Sequence, residues 1–257
     1  GVELSEPITA PDFDFDLPAH LRAPDAPRVA MYKSWQEPMP AGWQRWVLDQ
    51  HNMVYDTLHD ADIRNGALES YDVLLFQSQE ENSIRNGFQT GQLPQQYTGG
   101  LGNQGTEAVS QFVRAGGRVI AIEAATDFIV ELFDLEISSV TSGLANTDFY
   151  IPGSILRIEL DQMSEINAGM REEVSAWYWR SSKAYNVNDP RVRIAARYGE
   201  GDPLLSGWVL GGHHIAGEAA ILEASIGGGS VVLFGFQPNY RAQTVATWPL
   251  LFNAMRK

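Results

Sequence analysis

Short, β-branched apolar runs alternate along this chain with stretches in which apolar residues recur every third or fourth position, the patterns of buried strands and of amphipathic helices. The central example is Gly116 to Phe133, GGRVIAIEAATDFIVELF. A Gly-Gly turn leads into Val119 to Ile122, a run short enough for a fully buried parallel strand. Small residues follow, and then Phe128, Ile129, Leu132 and Phe133 fall on one face of a predicted helix. Before this unit the spacing predicts strands at Val29 to Tyr32, Met53 to Tyr55 and Tyr71 to Gln77. It predicts a helix from about Ala41 to His51 with Trp43, Trp46 and Val47 facing inward, and another over 103–115 led by Ala108, Val109, Phe112 and Val113. The polar segment 56–70 is expected to hold at most one helical turn, and 78–102 reads as a long Gly- and Gln-rich excursion.

Beyond Phe133 the rhythm changes to alternation of apolar and polar positions. Ile155 to Leu160, the aromatic-rich Ser175 to Arg180 and Val192 to Tyr198 read as half-exposed strands, so an antiparallel extension is expected over about 135–200. Ala219 to Glu223 and Ser230 to Phe236 form a predicted hairpin across Gly227-Gly228-Gly229, and a last helix is expected from Arg241 or Ala242 to Met255. The whole pattern predicts an α/β domain over 28–257 whose parallel sheet is covered by helices on both faces.

With 257 residues, 44% hydrophobic and 19% charged, the chain can bury a large core. Its formal charge of −14 and the lack of a basic stripe exclude nucleic acid as a natural partner. No apolar run is long enough to cross a membrane as a helix. The absence of cysteine excludes disulfides, thiolate metal sites and a Cys nucleophile. Residues 1–27 carry Glu3, Glu6, Asp12, Asp14, Asp16 and Asp25 against Arg22 alone, broken by five prolines, and read as an acidic linker or arm. The chain opens on Gly1 without a basic-then-apolar leader and reads as a piece of a longer protein.

Candidate chemistry is sparse. Gly100, Gly102 and Gly105 spell a dinucleotide-type fingerprint, but no predicted strand runs directly into it, as that chemistry requires. Three places after His20, His51, His59, His213 and His214 stand Ala23, Val54, Asp62, Ala216 and Gly217, so only His59 with Asp62 approaches metal-ligand spacing, and no third ligand accompanies it. The Asp12, Asp14, Asp16 alternation lacks the glycine turn and closing glutamate of a calcium loop. Neither a metal nor a cofactor is implied. Glu123, at the end of the central strand, is the one acid placed where α/β folds hold ligands; it is either an acid available for proton transfer or a structural group that caps the next helix or pairs with an Arg such as Arg241. Asp127 in that helix's first turn suits the positive end of the helix dipole. Seven tryptophans exceed what one core needs; Trp35 and Trp208, with Tyr97 and Tyr240, are expected to form a docking surface. The cleft around the strand ends is therefore expected to include Ser34, Trp35, Gln79, Tyr97, Glu123, Asp127, Gln237, Asn239, Tyr240 and Arg241.

The strand order, the GG-strand-turn-helix centre and GFQP after the last strand resemble the class I glutamine amidotransferase-like domains of the flavodoxin-like group. More closely, YDVLLFQSQ, LPQQYTGGLG, FVRAGGRVIAIEAATDFIVELF, FYIPGSILRIELD, DPLLSGWVLG and VVLFGFQPNYRAQT resemble the domain found C-terminal to the catalytic unit of large secreted zinc carboxypeptidases of the carboxypeptidase A type. The resemblance implies a secreted or periplasmic protein whose partner is the catalytic domain of its own parent chain; homo-oligomerisation is left open. It also implies a Cys at the elbow and a His and Glu after the last strand. Here the elbow is Glu123-Ala124-Ala125-Thr126, and Phe236-Gln237-Pro238-Asn239-Tyr240 stands where the His-bearing turn would be. An alanine methyl forms no acyl intermediate, so the expectation is a catalytically inactive accessory module. Two rivals remain: an enzyme of unknown specificity built on Glu123, or a module that binds a small molecule or glycan in the same cleft.

Overall fold

The computed structural model describes residues 17–256. The acids at 12, 14 and 16 and most of the arm lie outside the described residues.

The chain order of the parallel part is β1 (Val29–Tyr32), α1 (Met39–Gln50), β2 (Tyr55–Leu58), α2 (Asp60–Arg64), β3 (Val73–Phe76), α3 (Glu81–Asn86), α4 (Gly102–Arg114), β4 (Arg118–Ile122) and α5 (Ala125–Leu132). The extension then supplies β5 (Ile137–Ser139), β6 (Ser154–Leu160), β7 (Glu173–Tyr178), β8 (Tyr185–Val187), β9 (Val192–Tyr198), β10 (Leu204–Ser206) and β11 (Ala219–Ile226). β12 (Gly229–Phe234) returns to the centre, and α6 (Trp248–Ala254) closes the chain. Five strands pair in parallel in the order β2-β1-β3-β4-β12, the flavodoxin-like winding, so the chain reverses direction across the sheet between β1 and β3. β11 runs antiparallel to β12, and β9 and β6 extend the same sheet. The extension expected at 135–200 is thus part of the main sheet, and through β10 and β11 it runs further than its predicted limit.

Because side chains alternate across a strand, the sheet splits the core in two. Val29, Val73, Leu75, Ile120, Ile122, Val232 and Phe234 face α1 and α6, meeting Val47, Leu48, Leu250 and Phe252. Ala30, Leu74, Phe76, Val119, Ala121 and Leu233 face the other way, onto Val109, Phe112 and Val113 of α4 and Phe128 and Ile129 of α5.

Four expectations are corrected. The buried stripe of α1 is Ala41, Gln44, Val47 and Leu48, so Trp43 and Trp46 are exposed by 37% and 45%. The second strand starts at Tyr55, because Asn52 turns the chain through a left-handed residue and β2 is an edge strand that buries little but Leu58. Segment 78–102 contains α3 and a 3-10 turn at Gln95–Tyr97. The last helix is only Trp248–Ala254: Arg241 and Ala242 both adopt left-handed φ, and helix proper starts where Pro249 occupies its first turn.

An ion pair anchors the extension. Asp189 is buried and accepts the Arg191 guanidinium at 2.6 Å and the Glu136 backbone N–H at 3.1 Å, while Arg191 reaches the carbonyls of Phe133 and Asp134 at the end of α5. Arg191, with backbone donors, holds the Asp189 carboxyl well below the usual carboxylate range. A lowered carboxyl contributes stability that is complete above the unfolded-state value of about 4 and fades as pH falls below it. Asp189→Asn should therefore lower the melting temperature at neutral pH and flatten its decline below about pH 4 relative to wild type.

Candidate functional site

The carboxyl ends of β1, β3, β4 and β12 lie side by side, so the turns that follow them share one edge of the sheet. From β4 the chain enters α5 through Glu123, whose φ of +51° is in the left-handed region that non-glycine residues avoid. The bend is tied at both ends. Glu123 N–H donates to the Phe234 carbonyl at 2.7 Å, and the Glu123 carbonyl accepts both the N–H and the hydroxyl of Thr126, at 3.1 and 2.5 Å. Glu123, rather than the alanines behind it, occupies the apex of this elbow.

Its side chain is fully buried and satisfied from three directions. Ser78, after β3, donates to Oε2 at 2.6 Å; Gln237, after β12, donates Nε2 to the same oxygen at 2.6 Å; Ser182, from the β7–β8 loop, donates to Oε1 at 3.0 Å. One carboxylate therefore joins two parallel strands and the antiparallel extension. Ser182 also accepts the Trp179 N–H at 2.9 Å. Lys183 beside it bridges to Asp127 of α5 at 2.6 Å, and Thr126 shares a 2.8 Å hydrogen bond with the buried Tyr185 hydroxyl, which burial pushes far above its ordinary value.

Besides Asp127, the predicted cleft residues fall into four groups. Glu123 and Gln237 meet directly, and no Arg241–Glu123 pair forms. Ser34 and Gln79 are buried and hold the loop between them: Ser34 Oγ accepts the Gln36 N–H and Gln79 donates to the Gln36 carbonyl. Trp35 stacks on His59 at 3.9 Å and meets the edge of Tyr97. His59 belongs to this cluster, and Asp62 accepts its backbone N–H at 2.8 Å to cap α2, which gives that spacing a local explanation. Asn239 is buried and its carbonyl takes the Ala242 N–H, shaping the turn that displays Tyr240 and Arg241. The glycine fingerprint is also explained by packing: a Cβ at Gly100 would meet the backbone of Ile84 and Arg85, and one at Gly105 the side chain of Leu101.

Beside the elbow lies an open aromatic band. Tyr240 stacks on Trp177 with ring centres 4.7 Å apart and approaches Trp179 at 5.8 Å. Arg180 lies 5.8 Å from Trp179 and 6.0 Å from Tyr150, which in turn contacts Trp208 at 5.8 Å. Gly153 lets Trp177 and Trp179 pack on bare backbone, where any Cβ would collide with both rings. Of the aromatics expected to form a docking surface, Trp208 and Tyr240 thus belong to one band, while Trp35 and Tyr97 form a separate cluster. A cavity of about 320 Å³ opens at the band's end, between Met39, Pro40 and Trp43 of α1 and Trp179, Gln237, Tyr240 and Arg241 opposite. A larger cavity, about 830 Å³, lies at the other end of the sheet beside Val29 and Tyr55, and it opens next to Leu17 where the described residues begin.

Ser182, Trp179 and Lys183 were not legible as site residues, because only folding of the extension brings Ser182 to Glu123, Trp179 to Ser182 and Lys183 to Asp127. Ser78 stands within Gln77-Ser78-Gln79, just after β3, yet nothing local marks it as the partner of an acid 45 positions away.

The sequence matches no protein-family profile and no curated protein. Solved structures share its fold. A candidate GMP synthase component from Thermoplasma acidophilum superposes with a TM-score of 0.55 at 10% identity, covering 89% of this chain and 92% of its own. A cytoplasmic protein from Salmonella typhimurium LT2 gives 0.54 at 12% identity, over 89% of this chain and 99% of its own. A β-galactosidase from Bacillus circulans gives 0.53 at 14% identity, over 87% of this chain but 30% of its own.

Proposed function

We propose that this chain, which has the class I glutamine amidotransferase-like α/β fold, is a catalytically silent member of that architecture and acts as an interaction module within a larger protein. The observation that carries the reading is the state of Glu123. Catalysis at an elbow requires a side chain that a substrate can reach, and a base or nucleophile activated by a neighbour. Glu123 is fully buried with both carboxylate oxygens engaged by Ser78, Ser182 and Gln237, and the chain has no Cys to replace it. The turn after β12 carries Gln237 in place of an imidazole, and Gln237 is spent on holding the acid.

The open band from Trp208 to Tyr240 is the surface best suited to a partner, since aromatic and Arg side chains dominate the energetics of protein contacts. The partner in this reading is the catalytic domain of the parent chain, a secreted zinc-carboxypeptidase-like protein, as the sequence blocks resemble. The 30% coverage of the β-galactosidase chain supports the fold's use as one part of a longer enzyme.

Two measurements test this. The purified protein should release no ammonia from glutamine above background; release that Glu123→Gln abolishes would establish the enzyme reading instead. In the full-length parent, hydrogen exchange around Tyr150, Trp179, Trp208 and Tyr240 should be slower than in this chain alone, and equal exchange in both would remove the band as a docking surface.

A further inference from the structure

We infer that the 320 Å³ cavity between the start of α1 and the Tyr240–Arg241 turn is a binding site for a planar aromatic carboxylate. Its volume matches the lower end of small-molecule sites, enough for one or two fused rings. Trp43, Trp179 and Tyr240 line it with aromatic rings, and Trp43 remains 37% exposed, so the cavity is open to solvent.

The charge arrangement selects the ligand's sign. The chain carries −14 overall, yet neither Arg241 at the cavity lip nor Arg180 on the far side of Trp179 has a carboxylate partner among the described residues. Nearby acids are already taken: Glu37 by Arg45, Asp127 by Lys183, and Glu123 by its buried donors. Arg241 therefore presents an uncommitted guanidinium beside a ring platform, the geometry that receives a carboxylate on an aromatic body.

The backbone gives an independent indication. Arg241 and Ala242 are consecutive non-glycine residues at φ of +50° and +55°. Thr244 and Thr247 hold this turn by donating to the Pro238 carbonyl at 2.7 and 2.5 Å. Strain of this kind persists where it positions a working group. Here it places Arg241 at the cavity lip. The inference stands apart from the docking reading, because binding is measured on this chain alone.

Isothermal titration with indole-3-acetate and its neutral isostere indole-3-acetamide tests it. The acetate should bind roughly tenfold tighter than the amide, with the difference shrinking at high salt. Trp43→Ala should weaken both, whereas Arg241→Ala should erase the preference and leave amide binding unchanged. Arg241→Gly should also erase it while raising the melting temperature, since glycine accepts the left-handed backbone without strain. Equal binding of the two ligands by the wild type, no binding of either at millimolar concentration, or a preference that survives Arg241→Ala would overturn the assignment.

Discussion

Replacing Glu123 by alanine should lower the free energy of unfolding by about 2–4 kcal/mol, measured as a shift in urea midpoint at unchanged slope. The carboxylate accepts hydrogen bonds from Ser78, Ser182 and Gln237, and its removal leaves these donors facing a buried void. Each buried donor left unpaired costs roughly 1–3 kcal/mol. Two gains reduce the total: a buried charge no longer needs desolvation, and the serine hydroxyls can turn to other acceptors. The left-handed backbone at 123 offers no compensation, because alanine is strained there as well. The loss should also be felt as looser attachment of the β7–β8 loop, since Ser182 is that loop's link to the elbow.

Gly235→Ala should be comparably damaging, at about 3 kcal/mol. Gly235 follows β12 and lies between two strands' worth of backbone: its N–H donates to the Ala220 carbonyl at 2.8 Å and its carbonyl accepts the Lys183 N–H at 2.6 Å. An added Cβ would press into the Lys183 carbonyl oxygen and approach that of Ala220 at 3.1 Å. Backbone on both sides leaves no flexible side chain to yield. Relief requires moving the 182–183 segment, which carries Ser182 away from Glu123. The two substitutions therefore damage the same contact, and the double variant should lose at least about 1 kcal/mol less than the sum of the singles. Strict additivity would mean that Gly235 does not position the elbow's third donor.

The central parallel strands were legible because they are nearly uniform in burial, unlike the edge strand β2. Val29–Tyr32 and Val119–Ile122 are apolar throughout, and turn residues bound them on both sides. Val192–Tyr198 was equally plain, through alternation. What failed did so where tertiary packing overrode periodicity. Trp43 and Trp46 share a helical face with Val47, but the helix is rotated to bury Gln44, putting the Trp43 indole at the cavity and the Trp46 indole in solvent. The expected final helix was broken by the left-handed pair Arg241 and Ala242, which no propensity of those residues announces.

The site was half legible. Strand-end placement singled out Glu123, and Gln237 was identified by its position after the last core strand. The elbow apex, however, is defined by a φ angle rather than by residue type, so Ala124 and Ala125 drew attention that belongs to Glu123. Ser182 comes from the extension, 59 positions away, and the Lys183 N–H bond to the Gly235 carbonyl together with the pairing of β8 with β11 brings it there. A strained acid at a strand-end turn is the feature that an enzyme reading would use. Its complete burial and its three internal donors are what separate the two readings physically.

That separation can be measured through the sign of one free-energy change. Residues kept for catalysis tend to be replaceable with a gain in stability, whereas structural acids are not. Glutamine is isosteric with glutamate but brings an NH₂ group toward Ser78, Ser182 or Gln237, all of which donate to the carboxylate. The unfolding free energy of Glu123→Gln in urea should fall by about 1–2 kcal/mol relative to wild type. A variant more stable than wild type would contradict the structural role of Glu123.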